Sequence, residues 1–497
     1  MAAAIRLRAK GWRVTLVEAN DQPGGRASVF KRDGFTFDAG PTVVTAPYLF
    51  DELWAEVGRR REDYVDFAPV DPFYRVEFQD GSRFDYVGEE DRILSQIQQM
   101  SPNDVDGYRK LADHARRIFD IGYTQLAHVP FSRLSDMLRV TPDMIKLENY
   151  RTVYGLVSKY IKDERLRQVF TFQPLLVGGN PFQTSSIYLL IHWLERKWGV
   201  HFARGGTTAI VHAMQRLMDE LGVETRLNTP ISRIEVENGR VKAVVPEQGK
   251  PIACDAVVAN ADPSMVYSRL IDPQHRRKHT DRAVARKHQS MSLFVIYFGT
   301  KKTYPNLAHH TIILGPRYKE LLHEIFNKKV LAQDFSLYLH APARTDPSMA
   351  PAGHEAFYVL SPVPNDRSGL DWAQHHDEYK NRILTALDQT HLPGLKENLV
   401  VDFAVDPRYF AKDLRSYSGA AFGPEPRLTQ SAYFRYHNAS EDVAGLYFVG
   451  AGTHPGAGMP GVLCSAKVLD RVLPEVPASQ REPLPAVQRP PHLRVVA

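Results

Sequence analysis

The period of apolar and polar positions changes several times along the chain, and those changes outline its elements. Residues 2–10, AAAIRLRAK, read as a helix stopped by Gly11, and VTLVE (14–18) follows as a short strand closing on Glu18. A second helix is predicted over Thr208–Leu221. Beyond it VETRLNTPISRIEVE and RVKAVVP flank Glu237-Asn238-Gly239, and Asn-Gly between strand-like runs predicts a hairpin. DAVVANAD is a short buried strand ending in Asn260 and Asp262, and GLYFVGAGTHPGAGMPGVLCSAKVLDRVL reads as strand, Gly-rich loop and helix. Strand–turn–helix alternation that returns twice predicts an α/β, Rossmann-like domain built from discontinuous segments, 1–70, 205–290 and 440–474.

Two stretches of different character lie between. Residues 71–204 are mostly helical by periodicity from about residue 100, with interruptions at Pro130, Pro142, Pro174 and Pro181. Residues 291–439 mix strands (MSLFVIYFG, FSLYLHAP, EAFYVLSPVP) with helices, a mixed α+β domain. Alternation of Phe335, Leu337 and Leu339 predicts a half-buried strand there. Residues 475–497, rich in proline and arginine, are expected as a disordered tail.

With 497 residues, 43% of them hydrophobic and 24% charged, the chain can build a large core. A net charge of +5 does not signal nucleic acid. The only cysteines, Cys254 and Cys464, exclude a disulfide framework and a CxxC metal site. No apolar run reaches the roughly 18 residues needed to cross a bilayer, and no secretory signal is visible. His309, His310 and His454 invite a metal reading. Adjacent histidines on a strand point to opposite faces, however, so no metal site is expected.

An acid at the end of the second strand of a dinucleotide fold holds a ribose hydroxyl, with G-x-G-x-x-G about 20 residues before it. Counting back from Glu18 passes Met1. The first strand and its glycine turn are therefore expected to be absent from this sequence. A misassigned start codon inside the first helix is preferred over a true truncation, because every later motif is intact. Pro23-Gly24-Gly25-Arg26-Ala27 follows, then Phe35 to Thr42. Paired glycines let backbone approach a ligand, and an arginine there can face phosphate.

Together EANDQPGGRA, DGFTFDAGPT, LLVGGNPF, FARGGT, VVANAD and LYFVGAGTHPGAGMPGV resemble the bacterial phytoene desaturase family, flavoproteins of carotenoid synthesis, from Met1 to about Leu473. The resemblance implies FAD as cofactor. Glu18 would hold the adenosine ribose; Gly24, Gly25 and Arg26 would line the flavin and its phosphates. Gly40, Pro41 and Thr42 would pass near the ring, and Ile231 would meet adenine. Gly450, Gly452, Gly456, Gly458 and Met459 would close over the pyrophosphate. It also implies a carotene substrate in an apolar tunnel, with Phe172, Leu175, Leu176, Phe182 and Tyr188 as candidate lining. Asp136, with Arg133, is the catalytic candidate by resemblance; a helix cap is the plainer reading of Asp136.

A hydrocarbon substrate implies a peripheral protein on the inner, cytoplasmic face of the cell membrane, with oxygen or a membrane quinone as electron acceptor. The amphipathic stretch 317–331, with Tyr318, Leu321, Leu322, Ile325 and Phe326 on one face, is the candidate membrane-facing helix. Two other readings stay open: a carotenoid isomerase or desaturase of another carotene, and an inactive, flavin-free partner.

Overall fold

The structure is a computed structural model that describes residues 1–485. The expected tail beyond 485 lies outside the described residues. Helix Ala2–Ala9 buries Ala3, Ala4, Ile5 and Leu7, and packs on helices Thr207–Glu220 and Met459–Val472. Ala3 meets Val449, Ala466 and Leu469; residues this small let the helices approach closely. Its two arginines are also buried, and both are paired. Arg6 binds Glu56 and reaches Asp470 at 3.4 Å. Arg8 donates to the carbonyls of Leu221 (2.8 Å), Glu482 (2.9 Å) and Pro483 (2.7 Å). Those last two contacts correct one expectation. Residues 475–485, expected as a structureless tail, run across this helix, with the amide of Glu482 donating to Gly11 O at 2.9 Å.

Four short parallel strands carry the nucleotide-type layer. Strand Thr15–Val17 pairs with Glu224–Arg226, and Val257–Ala259 pairs with Leu446–Phe448. Next to them lies an antiparallel meander, Ile231–Glu237, Arg240–Pro246 and Ile252–Ala253. Its first turn puts Asn238 at φ 51° and Gly239 at φ 75°, the positive pair that a tight primed turn requires and that Asn-Gly supplies.

The second layer is a seven-stranded sheet ordered 399–405, 292–300, 355–363, 337–340, 310–313, 74–77, 83–86. All pairings are antiparallel except 310–313 with 74–77, so the sheet takes two strands from the 71–204 region. Strand Ser292–Thr300 is buried throughout and sorts its side chains by parity. Phe294, Ile296 and Phe298 join Trp372, Tyr379 and Ile383 of helix Trp372–Gln389. Leu293, Val295 and Tyr297 face the opposite core, with Tyr108, Leu111 and Ile118 of helix Val105–Phe119. The strand expected around Phe335 forms as Leu337–His340 and is buried on both faces rather than one, because both cores cover it.

Residues 317–331 do not present their apolar face outward. Tyr318, Leu321, Leu322, Ile325 and Phe326 all enter the main core. Val330 at the end of that stretch is exposed, but the most exposed large apolar side chains lie elsewhere: Leu134, Leu138 and Ile145 on helix Leu134–Lys146, with Tyr150 just beyond. No helix among the described residues is long and apolar enough to cross a membrane.

Candidate functional site

One cavity of about 1630 Å³ runs between the two layers. Typical ligand pockets hold about 300–1,000 Å³, so there is room for more than one ligand. It is lined by all thirteen expected cofactor residues: Glu18, Gly24, Gly25, Arg26, Gly40, Pro41, Thr42, Ile231, Gly450, Gly452, Gly456, Gly458 and Met459. Phe172, Leu175, Leu176 and Tyr188 line it as well. Phe182 is not among the lining residues and packs against Tyr154 and Tyr318. Asp136 and Arg133 are also outside it. Asp136 accepts the backbone N–H of Arg133 at 2.9 Å at the exposed start of helix Leu134–Lys146, which makes it a cap. As placed, neither residue of the pair is among those that line the cavity, although the neighbouring Met137 is.

The glycine end is built by the backbone. Gly450 sits at φ 93°, where a Cβ would lie 2.5 Å from Asn260 Oδ1; at Gly452 a Cβ would lie 2.2 Å from Pro263 Cδ. At Gly40 a Cβ would fall on Arg26 O at 1.8 Å, which holds the two strips of backbone together. The loop runs into helix Met459–Val472, whose start has no side-chain cap, so the positive end of the helix dipole lies at the cavity, although Pro460 brings no N–H there. Residues Met1 to Ala4 of the first helix line the same cavity. An uncapped helix start beside glycine-walled backbone can accept an anion. Glu18 closes its strand at the rim, with its amide on Arg226 O at 2.8 Å.

Several residues that shape the site escaped sequence reasoning. Buried Arg435 donates to Thr453 O (3.0 Å) and Ala451 O (2.6 Å), bracing the 450–458 loop from behind. Asp262 accepts from the amides of Ser264 (2.8 Å) and Tyr417 (3.1 Å), and burial raises its carboxyl above the ordinary range. Glu195, 1% exposed, lines the cavity beside Leu194 and Ile191. Tyr74 OH donates to its Oε1 at 2.8 Å, Oε2 has no partner, and burial pushes the carboxyl up to about 8. An acid on the apolar stripe of HWLERKW was the available signal. Thr42 Oγ1 bonds Tyr358 OH (2.9 Å) and Tyr338 OH (3.1 Å), fixing the wall between cavity and sheet.

The histidines correct the expectation of divergence. His309 precedes strand His310–Ile313 and escapes its alternation. His309, His310 and His340 gather, each offering a ring nitrogen within 4.8 Å of the others. His454 stands apart: it packs on Phe131, and burial lowers it to about 4.

A discontinuous Rossmann-type layer, an uncapped glycine cradle and an adjoining apolar chamber define a dinucleotide-binding oxidoreductase. The chain belongs to the flavin containing amine oxidoreductase family, whose model matches residues 1–467. It is 49% identical to the lycopene-forming phytoene desaturase of Pantoea ananas, over 94% of this chain and 95% of that one. It is 43% identical to the neurosporene-forming phytoene desaturase of Rhodobacter capsulatus, over 96% and 92%. An oxidoreductase structure from Methanosarcina mazei has the same fold, with a TM-score of 0.65 at 15% identity, over 95% of this chain and 97% of that one.

Proposed function

We propose that this protein is a FAD-dependent phytoene desaturase of carotenoid biosynthesis, giving lycopene or a partly desaturated carotene. One observation carries the reading: a single chamber joins a glycine-walled, anion-accepting end to an apolar end. When bound, FAD supplies the hydride acceptor for allylic C–H cleavage. The chain's own residues supply position and dryness. The amides at the start of helix Met459–Val472 meet the diphosphate, Glu18 the ribose hydroxyls, and Gly40 to Thr42 the ring. Phe172, Leu175, Leu176 and Tyr188 contribute apolar wall for a substrate with no polar handle, at about 25 cal/mol per Å² removed from water. Glu195 keeps its proton at neutral pH and so places no charge beside the hydrocarbon.

Expression in a phytoene-accumulating host, followed by chromatography and absorbance of the pigments, tests the reading. Coloured, desaturated carotenes that depend on the gene are expected. Unchanged phytoene from a flavin-loaded chain would sink it.

The protein also docks on the inner face of the cell membrane, in this reading through helix Leu134–Lys146 rather than residues 317–331. Support comes from its two faces. Leu134, Leu138 and Ile145 form an exposed stripe flanked by Arg139 and Lys146, while Met137, Val140 and Met144 line the cavity. A lipid-dissolved polyene would then pass from bilayer to chamber beside one helix. Cosedimentation with anionic vesicles is expected to be sensitive to salt and detergent; a chain that stays in the supernatant refutes it. Oxygen or a membrane quinone is the electron acceptor, and anaerobic turnover with added quinone separates the two.

A further inference from the structure

Behind the Thr42–Tyr338–Tyr358 wall lies a polar cluster that the desaturation chemistry leaves unused. His310 opens strand His310–Ile313 and His340 closes strand Leu337–His340, and the two are register partners. His309 comes in from the preceding turn. The three are 5%, 0% and 0% exposed for His309, His310 and His340. Asp38, at the end of strand Phe35–Asp38, approaches His340. Its Oδ1 is fixed by the amide of Thr207 at 2.6 Å, and its Oδ2 lies 3.5 Å from His340 Nε2.

Nε2 of His309 and of His310 are buried with no hydrogen-bond partner, and Nε2 of His340 has only the long 3.5 Å approach of Asp38 Oδ2. Buried polar groups are rarely left so, and three imidazole nitrogens together mark a place for an occupant. The opposite nitrogens of two of the rings have partners outside the cluster, and His340 Nδ1 lies 3.3 Å from His310 Nδ1. His309 Nδ1 meets Thr345 Oγ1 at 2.6 Å and His310 Nδ1 meets Tyr338 OH at 2.7 Å. Metal-binding histidines are typically oriented in this way by a partner on the other nitrogen. His309 and Thr345 also line a second cavity of about 740 Å³, which gives a route inward. Arg75 and Arg344 at its rim are paired with Asp85 and Glu355.

We propose that His309, His310 and His340 form a binding site for one divalent transition-metal ion of the zinc class. Three imidazoles suit zinc-type coordination with one position open. A four-coordinate ion with bonds of about 2.0–2.1 Å sets neighbouring ligand atoms about 3.4 Å apart. The three histidines each offer a ring nitrogen within 4.8 Å of the others and reach that separation by small rotations. The ion would tie strands 310–313 and 337–340 together behind the cavity wall, a structural role independent of flavin.

The test uses the full chain, freed of any polyhistidine tag and stripped with chelator, then titrated with Co²⁺. One equivalent per chain is expected, with the visible bands of four-coordinate cobalt and displacement by Zn²⁺. His309→Ala should weaken binding at least about a hundredfold. Thr345→Val, which leaves all three histidines in place, should weaken it about 10- to 100-fold. Elemental analysis of the wild-type protein needs no variant and should return near-stoichiometric metal. Substoichiometric metal, or cobalt binding indifferent to both variants in folded protein, would overturn the proposal. Metal-free protein in which His310→Gln shifts the pH profile of desaturation would also overturn it, and would make the cluster a proton path.

Discussion

Replacing Glu195 by glutamine tests whether the chamber is as dry as its geometry implies. The side chain is 1% exposed, has one hydrogen bond from Tyr74 OH at 2.8 Å, and leaves Oε2 without a partner. Burial raises the carboxyl from its ordinary 4.5 to about 8, with the Tyr74 bond opposing. Below pH 4.5 the folded and unfolded chains both hold the proton, and the group adds no pH dependence. Between 4.5 and about 8 the unfolded chain has released it while the folded chain keeps it. Stability therefore falls as pH rises, by about 1.4 kcal/mol per unit, and levels off above 8. The full drop is on the order of 5 kcal/mol, a large share of the roughly 5–15 kcal/mol that hold a typical domain folded. Glutamine has the same shape, accepts the same Tyr74 hydrogen bond and carries no titrating proton. Urea unfolding of both proteins at pH 5, 6, 7, 8 and 9, followed by tryptophan fluorescence and circular dichroism, reads the difference directly. The variant should gain on the wild type steadily from pH 5 to 8 and end several kcal/mol ahead. Parallel curves, or a wild type that gains on the variant as pH rises, would show that water reaches Glu195.

Three further outcomes follow from the geometry. Gly450→Ala forces a Cβ to 2.5 Å from Asn260 Oδ1 at a positive φ; flavin per chain, read by visible absorbance after dialysis, should fall about tenfold or more, and full retention would show that the loop does not close on the cofactor. Asp136→Asn should leave turnover within about twofold, and Asp136→Ala should cost about 1 kcal/mol through the lost cap; a loss beyond about a hundredfold in turnover would restore a catalytic role. Leu138→Asp with Ile145→Asp should lower partitioning onto anionic vesicles about tenfold while detergent-solubilised turnover is unchanged; unaltered cosedimentation would remove this helix as the docking face.

Legibility in the sequence followed the origin of each signal. Glycines forced by close approach, such as Gly40 against Arg26 and Gly452 against Pro263, sit in local motifs, and every cofactor position read from them lines the chamber. The Asn238-Gly239 turn was legible for the same local reason. Arg435 was not, because its partners Ala451 and Thr453 lie 16 and 18 residues away and nothing in its neighbourhood marks an inward charge. The histidine cluster is not legible, because His309 lies outside the strand whose alternation would separate it from His310, and His340 comes from a strand whose register the sequence does not state.

The two amphipathic helices show why a periodic stripe cannot name its partner. Residues 317–331 and 134–146 both carry an apolar face with cations beside it. The first is flanked by strands 310–313 and 337–340, so the chain reversal lays its stripe onto the main core, and Tyr318, Leu321 and Leu322 disappear. The second follows a long helical passage that is tied to no strand. It is left with two demands: Met137, Val140 and Met144 close the chamber, and Leu134, Leu138 and Ile145 are left exposed by the described residues. An apolar stripe at helical spacing says only that one face is driven out of water, and both helices carry such a stripe. Topology alone decides whether protein is waiting there. Where it is not, the stripe stays exposed on a helix whose other face walls the cavity, and on that pairing of faces the proposed membrane docking rests.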